Sequence, residues 1–127
     1  MYEITVSRQF AAAHAIRLHD GTLEPLHEHN WTVHVTVTAE QLDAIDVVMD
    51  FQPLEKLVDA VIARVHNRNL NDVGPFADGC GENTINPTAE RVAWWFGTEV
   101  ARSLPARVRL TGVKVGEAPG CTATYRP

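Results

Sequence analysis

The sequence predicts an α+β fold, with a four-stranded antiparallel sheet in the element order ββααββ and both helices on one face. Apolar residues alternate with polar ones near both ends of the chain, which indicates strands, and recur at helical spacing in its middle. No internal repeat or linker interrupts the 127 residues. We therefore expect one domain that spans residues 1–127.

The first two predicted strands carry three histidines on their apolar faces. The first strand starts at Tyr2 and ends at His14, where alternate residues are apolar. A polar segment with turn residues follows and predicts a loop. The second strand begins near His27 and is clearest at residues 31–38, which alternate Trp or Val with Thr or His. Continued backwards, this alternation places His27 and His29 together on the apolar face.

Two helices are predicted next. An apolar stripe over residues 54–65 indicates the first helix, with Asp50 as its N-cap. The second helix is expected to begin with Asn86 as N-cap and Pro87 in the first turn. Between them, residues 67–87 are rich in Asn, Asp, Gly and Pro, which predicts a long loop of the kind that often carries function.

Two further strands are predicted at the C-terminal end. Residues 108–115 form the first, and their apolar alternation changes parity at Thr111 and Gly112, as a β-bulge at glycine would produce. Residues 116–120 are expected to form a turn. Residues 121–126 then return as the last strand.

Composition and charge exclude several classes of function. The net charge is −5 and the Lys and Arg residues form no run, so a nucleic-acid partner is not expected. No apolar segment approaches the roughly 20 residues that span a bilayer, so no membrane partner is expected either. Cys80 and Cys121 are too few for a disulfide-rich secreted protein, and no signal-peptide pattern is present, which favours a cytoplasmic protein.

His14, His27 and His29 are the strongest candidates for metal ligands. Two histidines at positions i and i+2 of one strand, with a third at the end of the neighbouring strand, can direct three imidazoles at one ion. Three protein ligands leave a position open for water or substrate, which is typical of catalytic Zn²⁺ sites. The alternative is that His27 and His29 belong to a polar strand start and that His14 is an unrelated, hydrogen-bonded core residue.

Several short motifs occur in one order along nearly the whole chain: FAAAH ending in His14, HEHNW starting at His27, MDF starting at Met49, HNRNLND starting at His66, NPTAE starting at Asn86 and VKVGE ending in Glu117. In these motifs the chain resembles the 6-pyruvoyltetrahydropterin synthases and the related 6-carboxytetrahydropterin synthases of queuosine synthesis. The resemblance implies the tunnelling fold and a homo-oligomer, a trimer or a hexamer, with sites between subunits. It also implies Zn²⁺ held by His14, His27 and His29, and recognition of a pterin by Glu90 and Glu117.

The chain departs from the family pattern at two positions that carry proton-transfer residues. Leu23 stands where family members have a cysteine, and Val65 stands where an aspartate precedes the loop histidine, here His66. Glu24 is a candidate replacement, because E-x-x-H-x-H resembles a subgroup that uses glutamate instead of cysteine and makes 6-hydroxymethyldihydropterin. We therefore take Glu24 and His66 as the candidate catalytic residues.

Together these features predict a Zn²⁺-dependent lyase that acts on the side chain of 7,8-dihydroneopterin triphosphate or a related pterin. The expected product is a 6-carboxy-, 6-pyruvoyl- or 6-hydroxymethyl-pterin. Two alternatives stay open. One is a zinc- and pterin-binding homologue that has lost its proton-transfer residues, and the other is a zinc enzyme with another heterocyclic substrate, whose amidine-like edge Glu117 would still bind.

Overall fold

The computed structural model describes residues 1–77 and 85–127. In these two ranges the chain forms a five-stranded sheet and two α-helices. The elements are β1 (Tyr2–His14), β2 (His27–Ala39), α1 (Phe51–Ile62), β3 (Arg68–Asn69), α2 (Ala89–Ala101), β4 (Arg109–Ala118) and β5 (Cys121–Tyr125). The predicted α+β class is therefore confirmed, with one strand more than expected.

The centre of the sheet is the long antiparallel hairpin of β1 and β2. It pairs Tyr2 with Ala39 at one end and His14 with His27 at the other, in one continuous register. The strand order is β3-β1-β2-β4-β5, so β2 lies between β1 and β4. The alternation of apolar residues thus predicted both central strands, and their pairing leaves the histidine-bearing ends side by side.

The prediction of a four-stranded, purely antiparallel sheet is wrong at the edge next to β1. There β3 pairs in parallel with β1, with Arg68 opposite Ala12. Asn67, with a φ of 59°, turns the chain into this strand and donates its N–H to the carbonyl oxygen of Ala11 at 2.7 Å. A strand of two polar residues has no alternation to detect, so the segment was predicted as part of a long loop.

Both helices cover the same face of the sheet. Their core with β2 contains side chains that have no exposed surface: Trp31, Val33, Val35, Val37, Leu54, Val58, Val92 and Phe96. Full burial of each such aliphatic side chain contributes about 1.5–3 kcal/mol, so this shared core holds the helices firmly against the central strands. Within the described ranges, no helix is long and apolar enough to cross a membrane.

The start of α2 differs from the prediction. The helix is capped by Thr88, whose Oγ1 accepts a hydrogen bond from the N–H of Arg91 at 3.2 Å. Asn86 is not the cap, because its side-chain amide binds the backbone of Arg17 instead. In α1 the predicted N-cap residue, Asp50, does occupy that position, but its side chain makes no cap hydrogen bond.

Strand β4 carries the predicted bulge and is longer than predicted. Its register against β2 shifts at Thr111, which is the extra residue of the bulge. The strand continues through Gly116 and Glu117 instead of entering a turn. A Cβ atom at Gly116 would lie 2.4 Å from Oγ1 of Thr32, so this glycine permits the close approach of β2 and β4. Glu117 is thereby held alongside β2.

Candidate metal centre

The three histidines predicted as metal ligands lie together at the end of the β1–β2 hairpin. His14 and His27 face each other across the ladder, and His29 follows on the same face of β2. The ring centroids are 4.6 Å apart for His14 and His27, 5.2 Å for His14 and His29, and 4.8 Å for His27 and His29. The His14 side chain is fully buried, whereas that of His27 is 39% exposed, so the cluster opens to solvent on the His27 side.

Glu117 joins this cluster from β4. Its Oε1 atom lies 2.9 Å from Nε2 of His14 and 3.1 Å from Nε2 of His29. Each of the four side chains offers one ligand atom, and these atoms all lie within 4.8 Å of one another, an arrangement that could hold a metal ion. The Glu117 side chain is 27% exposed, so a substrate can also reach its carboxylate from solvent.

The nitrogen atoms that face this common point are unsatisfied. Among the described residues, Nε2 of His14 and Nε2 of His29 are buried without a hydrogen-bond partner, although Oε1 of Glu117 lies close to both. Buried polar atoms are rarely left in this state, and a cation bound by both nitrogens would satisfy them. Imidazole nitrogens with one carboxylate fit Zn²⁺ and similar transition metals better than Mg²⁺ or Ca²⁺, which prefer oxygen ligands.

Backbone carbonyl groups fix the orientation of two of the imidazoles. Nδ1 of His14 donates to the carbonyl oxygen of Pro87 at 2.8 Å, and Nδ1 of His27 donates to that of Pro25 at 2.8 Å. Because a carbonyl oxygen only accepts, each Nδ1 carries a proton, and in the neutral imidazole Nε2 is then the nitrogen that presents a lone pair. Such an outer contact is typical of histidines that bind a metal through the other nitrogen.

Glu24 lies beside the cluster, on the loop that joins β1 and β2. Its Oε1 atom accepts a hydrogen bond from the N–H of Ile16 at 3.0 Å and lies 3.8 Å from Nε2 of His27. A carboxylate in this position can accept a proton from a molecule bound at the cluster. Leu23, at the position of the absent cysteine, is 52% exposed and offers no group for proton transfer.

Two further predicted site residues, unlike Glu24, lie away from the cluster. His66 is exposed in the turn before β3, and its Nδ1 accepts a hydrogen bond from the N–H of Ala11 at 3.2 Å. Glu90 is exposed in the first turn of α2. Neither belongs to the group of side chains that could hold a metal ion. Of the two cysteines, Cys121 is an exposed free thiol in β5, and Cys80 lies outside the described residues.

Sequence reasoning missed two asparagines that hold the chain next to the cluster. Asn71 binds the backbone of Ala15, and Asn86 binds the backbone of Arg17, each through both groups of its side-chain amide. Both asparagines lie within residues 67–87, which were predicted as a loop, and Asn86 was predicted only as the N-cap of the second helix. The sequence did indicate that such contacts are possible, because the side-chain amide of asparagine carries the same hydrogen-bond donor and acceptor as a peptide group.

Comparison with known proteins identifies the family. The model of the 6-pyruvoyl tetrahydropterin synthase family matches residues 3–127. The chain belongs to this family. A similar curated member, the dihydroneopterin monophosphate aldolase of Pyrococcus furiosus, is 33% identical over 108 residues, which are 85% of this chain and 82% of that protein. The 6-carboxy-5,6,7,8-tetrahydropterin synthase of Bacillus subtilis is 29% identical over 130 residues, or 99% and 86% of the two chains. The predicted kind of protein, a pterin-processing enzyme, is supported.

Solved structures of family members share the fold of this chain. Caenorhabditis elegans 6-pyruvoyl tetrahydropterin synthase superposes with a TM-score of 0.78 at 26% identity, covering 100% of this chain and 97% of that one. The Plasmodium vivax 6-pyruvoyl tetrahydropterin synthase has a TM-score of 0.79 at 18% identity, covering 99% of this chain and 97% of that one. At this identity the similarity supports the fold and nothing further. The tunnelling fold implied by the sequence motifs is therefore confirmed.

Proposed function

We propose that the protein is a zinc-dependent lyase of the aldolase type, which cleaves the side chain of a phosphorylated 7,8-dihydroneopterin to give 6-hydroxymethyl-7,8-dihydropterin. The observation that carries this proposal is the Glu24 carboxylate, 3.8 Å from Nε2 of His27. This carboxylate could serve as the base in place of the family's cysteine, whose position is taken by Leu23. The 33% identity to the Pyrococcus furiosus aldolase favours the same product.

The metal ion of this enzyme would be held by Nε2 of His14, His27 and His29. These atoms converge, and the carbonyl contacts at Nδ1 of His14 and His27 leave both Nε2 lone pairs available. Zn²⁺ bound there would supply Lewis acidity, which lowers the pKa of a side-chain hydroxyl of the substrate. Three nitrogen ligands leave room for that hydroxyl.

Glu24 would act as the general base of the cleavage. Its carboxylate takes the proton of the C2′ hydroxyl, and that oxygen becomes the aldehyde oxygen of the leaving two-carbon fragment. The C1′–C2′ bond breaks, its electron pair moves into the conjugated C6–N5 imine of the pterin, and a proton then returns to C1′. The products are 6-hydroxymethyl-7,8-dihydropterin and a glycolaldehyde that keeps all the phosphate groups of the substrate, so the reaction needs no oxidant or reductant.

Recognition of the pterin is assigned to Glu117 and Glu90, and the second proton transfer to His66. A carboxylate can pair with two N–H groups of an amidine-like ring edge, which suits Glu117 at the cluster. The exposed positions of Glu90 and His66 favour a site completed by a second copy of the chain, in a trimer or a hexamer. His66 would then return the proton to C1′.

The proposal is tested by product analysis. Zinc-loaded protein is incubated separately with 7,8-dihydroneopterin monophosphate and triphosphate, and the products are identified by mass spectrometry, with Glu24→Gln as the matched inactive control. We expect 6-hydroxymethyl-7,8-dihydropterin together with the phosphorylated two-carbon fragment. A 6-carboxy or 6-pyruvoyl product would overturn the aldolase assignment. Binding without turnover would support a non-catalytic homologue, and neither binding nor turnover would support another heterocyclic substrate.

A further inference from the structure

The three residues that follow His14 are each held by a different polar side chain. The N–H of Ala15 donates to Oδ1 of Asn71 at 2.8 Å, and the N–H of Ile16 donates to Oε1 of Glu24 at 3.0 Å. The N–H of Arg17 donates to Oδ1 of Asn86 at 2.8 Å. β1 pairs with β2 only as far as His14 and with β3 only as far as Ala13, so these side chains supply partners for N–H groups that lie beyond both strand pairings.

Each of the two asparagines makes two hydrogen bonds to the backbone of the residue that it holds. Nδ2 of Asn71 donates to the carbonyl oxygen of Ala15 at 2.8 Å, and Nδ2 of Asn86 donates to that of Arg17 at 3.0 Å. The N–H and the carbonyl oxygen of one residue are therefore both hydrogen-bonded to one planar side-chain amide, as they would be to a residue of a neighbouring β-strand. A pair of parallel bonds fixes direction as well as distance, so each contact clamps the backbone in one orientation.

The Asn86 clamp is linked directly to His14. Asn86 precedes Pro87, whose carbonyl oxygen accepts the Nδ1–H of His14. A closed ring of covalent and hydrogen bonds is therefore formed. It runs along the chain from His14 to Arg17, through the side chain of Asn86 to Pro87, and from the Pro87 carbonyl oxygen back to His14. The position of the carbonyl that orients the His14 imidazole depends on Asn86.

The Asn71 clamp acts on the same short segment, two residues earlier, at Ala15. Asn71 follows β3 and is itself held by a bond from its N–H to Oδ1 of Asn69 at 3.0 Å. Between the two clamped residues lies Ile16, which pairs with Glu24 through both the Glu24 N–H and the Glu24 carboxylate, at 3.0 Å each. A displacement of Ile16 would therefore carry the Glu24 carboxylate with it.

From this geometry we infer that Asn71 and Asn86 are positioning residues of the site: they fix residues 15–17 so that His14 faces the metal position and Glu24 faces the substrate. The inference rests on the proposed function for its catalytic part only. Its metal-binding part concerns the orientation of His14 and stands apart from the reaction. Asn86 acts mainly through His14, and Asn71 mainly through Glu24.

The metal-binding part is tested with Asn86→Ala, using Asn30→Ala as the matched control. Asn30 is exposed on β2 between His29 and Trp31, on the opposite face of the strand. We expect Asn86→Ala to lower Zn²⁺ affinity by about 10-fold or more, measured by chelator competition, as loss of an outer-shell contact does. Asn30→Ala should leave it unchanged. Asn86→Asp keeps the acceptor for the Arg17 N–H and serves if the alanine variant fails to fold. Zn²⁺ affinity within about twofold of wild type in a folded Asn86 variant would overturn the inference.

The catalytic part is tested by combining Asn71→Ala with Glu24→Gln. If Asn71 acts through Glu24, Asn71→Ala should lower kcat by about 10-fold or more in the wild-type background and have little further effect in the Glu24→Gln background. A purely structural role would instead lower the melting temperature and reduce kcat equally in both backgrounds, which would contradict the inference. If wild-type protein turns over no pterin, the proposed function fails, whereas the Zn²⁺ measurement still decides the role of Asn86.

Discussion

Oε1 of Glu117 lies 2.9 Å from Nε2 of His14, so a residue expected to recognise the pterin meets a residue expected to bind the metal. The two side chains differ in how they are held. His14 is fully buried and tied to the carbonyl oxygen of Pro87, whereas the Glu117 carboxylate is 27% exposed. The imidazole is therefore the fixed partner, and the carboxylate is the one that can turn from the metal position to a substrate.

Replacement of Glu117 by Gln should affect substrate binding more than metal binding. The amide keeps the shape of the carboxylate but loses the charge that pairs with the pterin N–H groups, and a hydrogen bond to a charged group is worth about 1.5–3 kcal/mol. We expect KM to rise by roughly 10- to 100-fold, with Zn²⁺ affinity changed by less than about threefold. Steady-state kinetics and chelator competition measure the two effects. A large loss of Zn²⁺ affinity with unchanged KM would instead make Glu117 a metal ligand.

Removal of one of the three histidines should abolish tight metal binding. In His27→Ala only two imidazoles remain at the cluster, and we expect Zn²⁺ affinity to fall by at least about 100-fold. His34→Ala is the matched control, because His34 lies on the opposite face of β2, where its Nδ1 pairs with Oγ of Ser7 at 2.6 Å. Equal Zn²⁺ affinity of the two variants would rule out the proposed metal centre.

Substitution of Glu24 by Gln should reduce turnover without loss of metal. Glutamine retains an oxygen that accepts the N–H of Ile16, so the loop keeps its position while the base is lost. A positioned general base contributes about 10²–10⁴-fold, so kcat should fall within that range. Glu28→Gln is the matched control, since Glu28 is exposed between His27 and His29 and faces away from them. A kcat for Glu24→Gln close to that of Glu28→Gln would exclude Glu24 as the base.

The loop after β2 should stabilise the folded protein at neutral pH and lose this effect at acid pH. Oδ1 of Asp43 accepts hydrogen bonds from the N–H of Ile45 at 2.9 Å and of Val47 at 3.2 Å, and these bonds, with the nearby Arg107 guanidinium, hold the pKa of Asp43 below its ordinary value of 3.8. The folded state therefore favours the ionised form, so this stabilisation is fully present well above pH 3.8 and is lost as the pH falls through the lowered pKa.

Asp43→Asn tests this dependence by chemical denaturation at several pH values. The variant should have a lower free energy of unfolding than wild type at neutral pH, and the difference should shrink as the pH falls below 3.8. Asp50→Asn serves as control, because the Asp50 side chain makes no cap hydrogen bond in α1. A difference between Asp43→Asn and wild type that stays constant from neutral to acid pH would contradict the assignment.

The local part of the site was predictable from the sequence. Residues two apart on a strand share a face, so the parity of β2 was enough to align His27 with His29. The side-chain pattern also predicted where β1 ends, and thereby placed His14 at the end of its apolar face. These inferences depend only on neighbours along one strand, which is why they could be made without knowledge of the whole fold.

The remaining features depend on contacts between distant segments. The nearness of Glu117 to His14 follows from the register of β4 against β2, which the bulge at Thr111 shifts. Strand β3 exists because β1 offers it a parallel partner, and the clamps of Asn71 and Asn86 depend on how the later loop folds back. No periodicity within a single segment encodes such pairings.

Trp31 lies directly beneath the histidine cluster. Its ring centroid is 5.0 Å from that of His14 and 5.9 Å from that of His29, and the side chain has no exposed surface. Indole fluorescence is quenched at such distances by Co²⁺, which has an absorbing, partly filled d shell, whereas Zn²⁺ has a filled one. Trp31 would therefore act as an optical reporter of the proposed metal centre, through which exchange of one metal for the other would be followed in unlabelled protein.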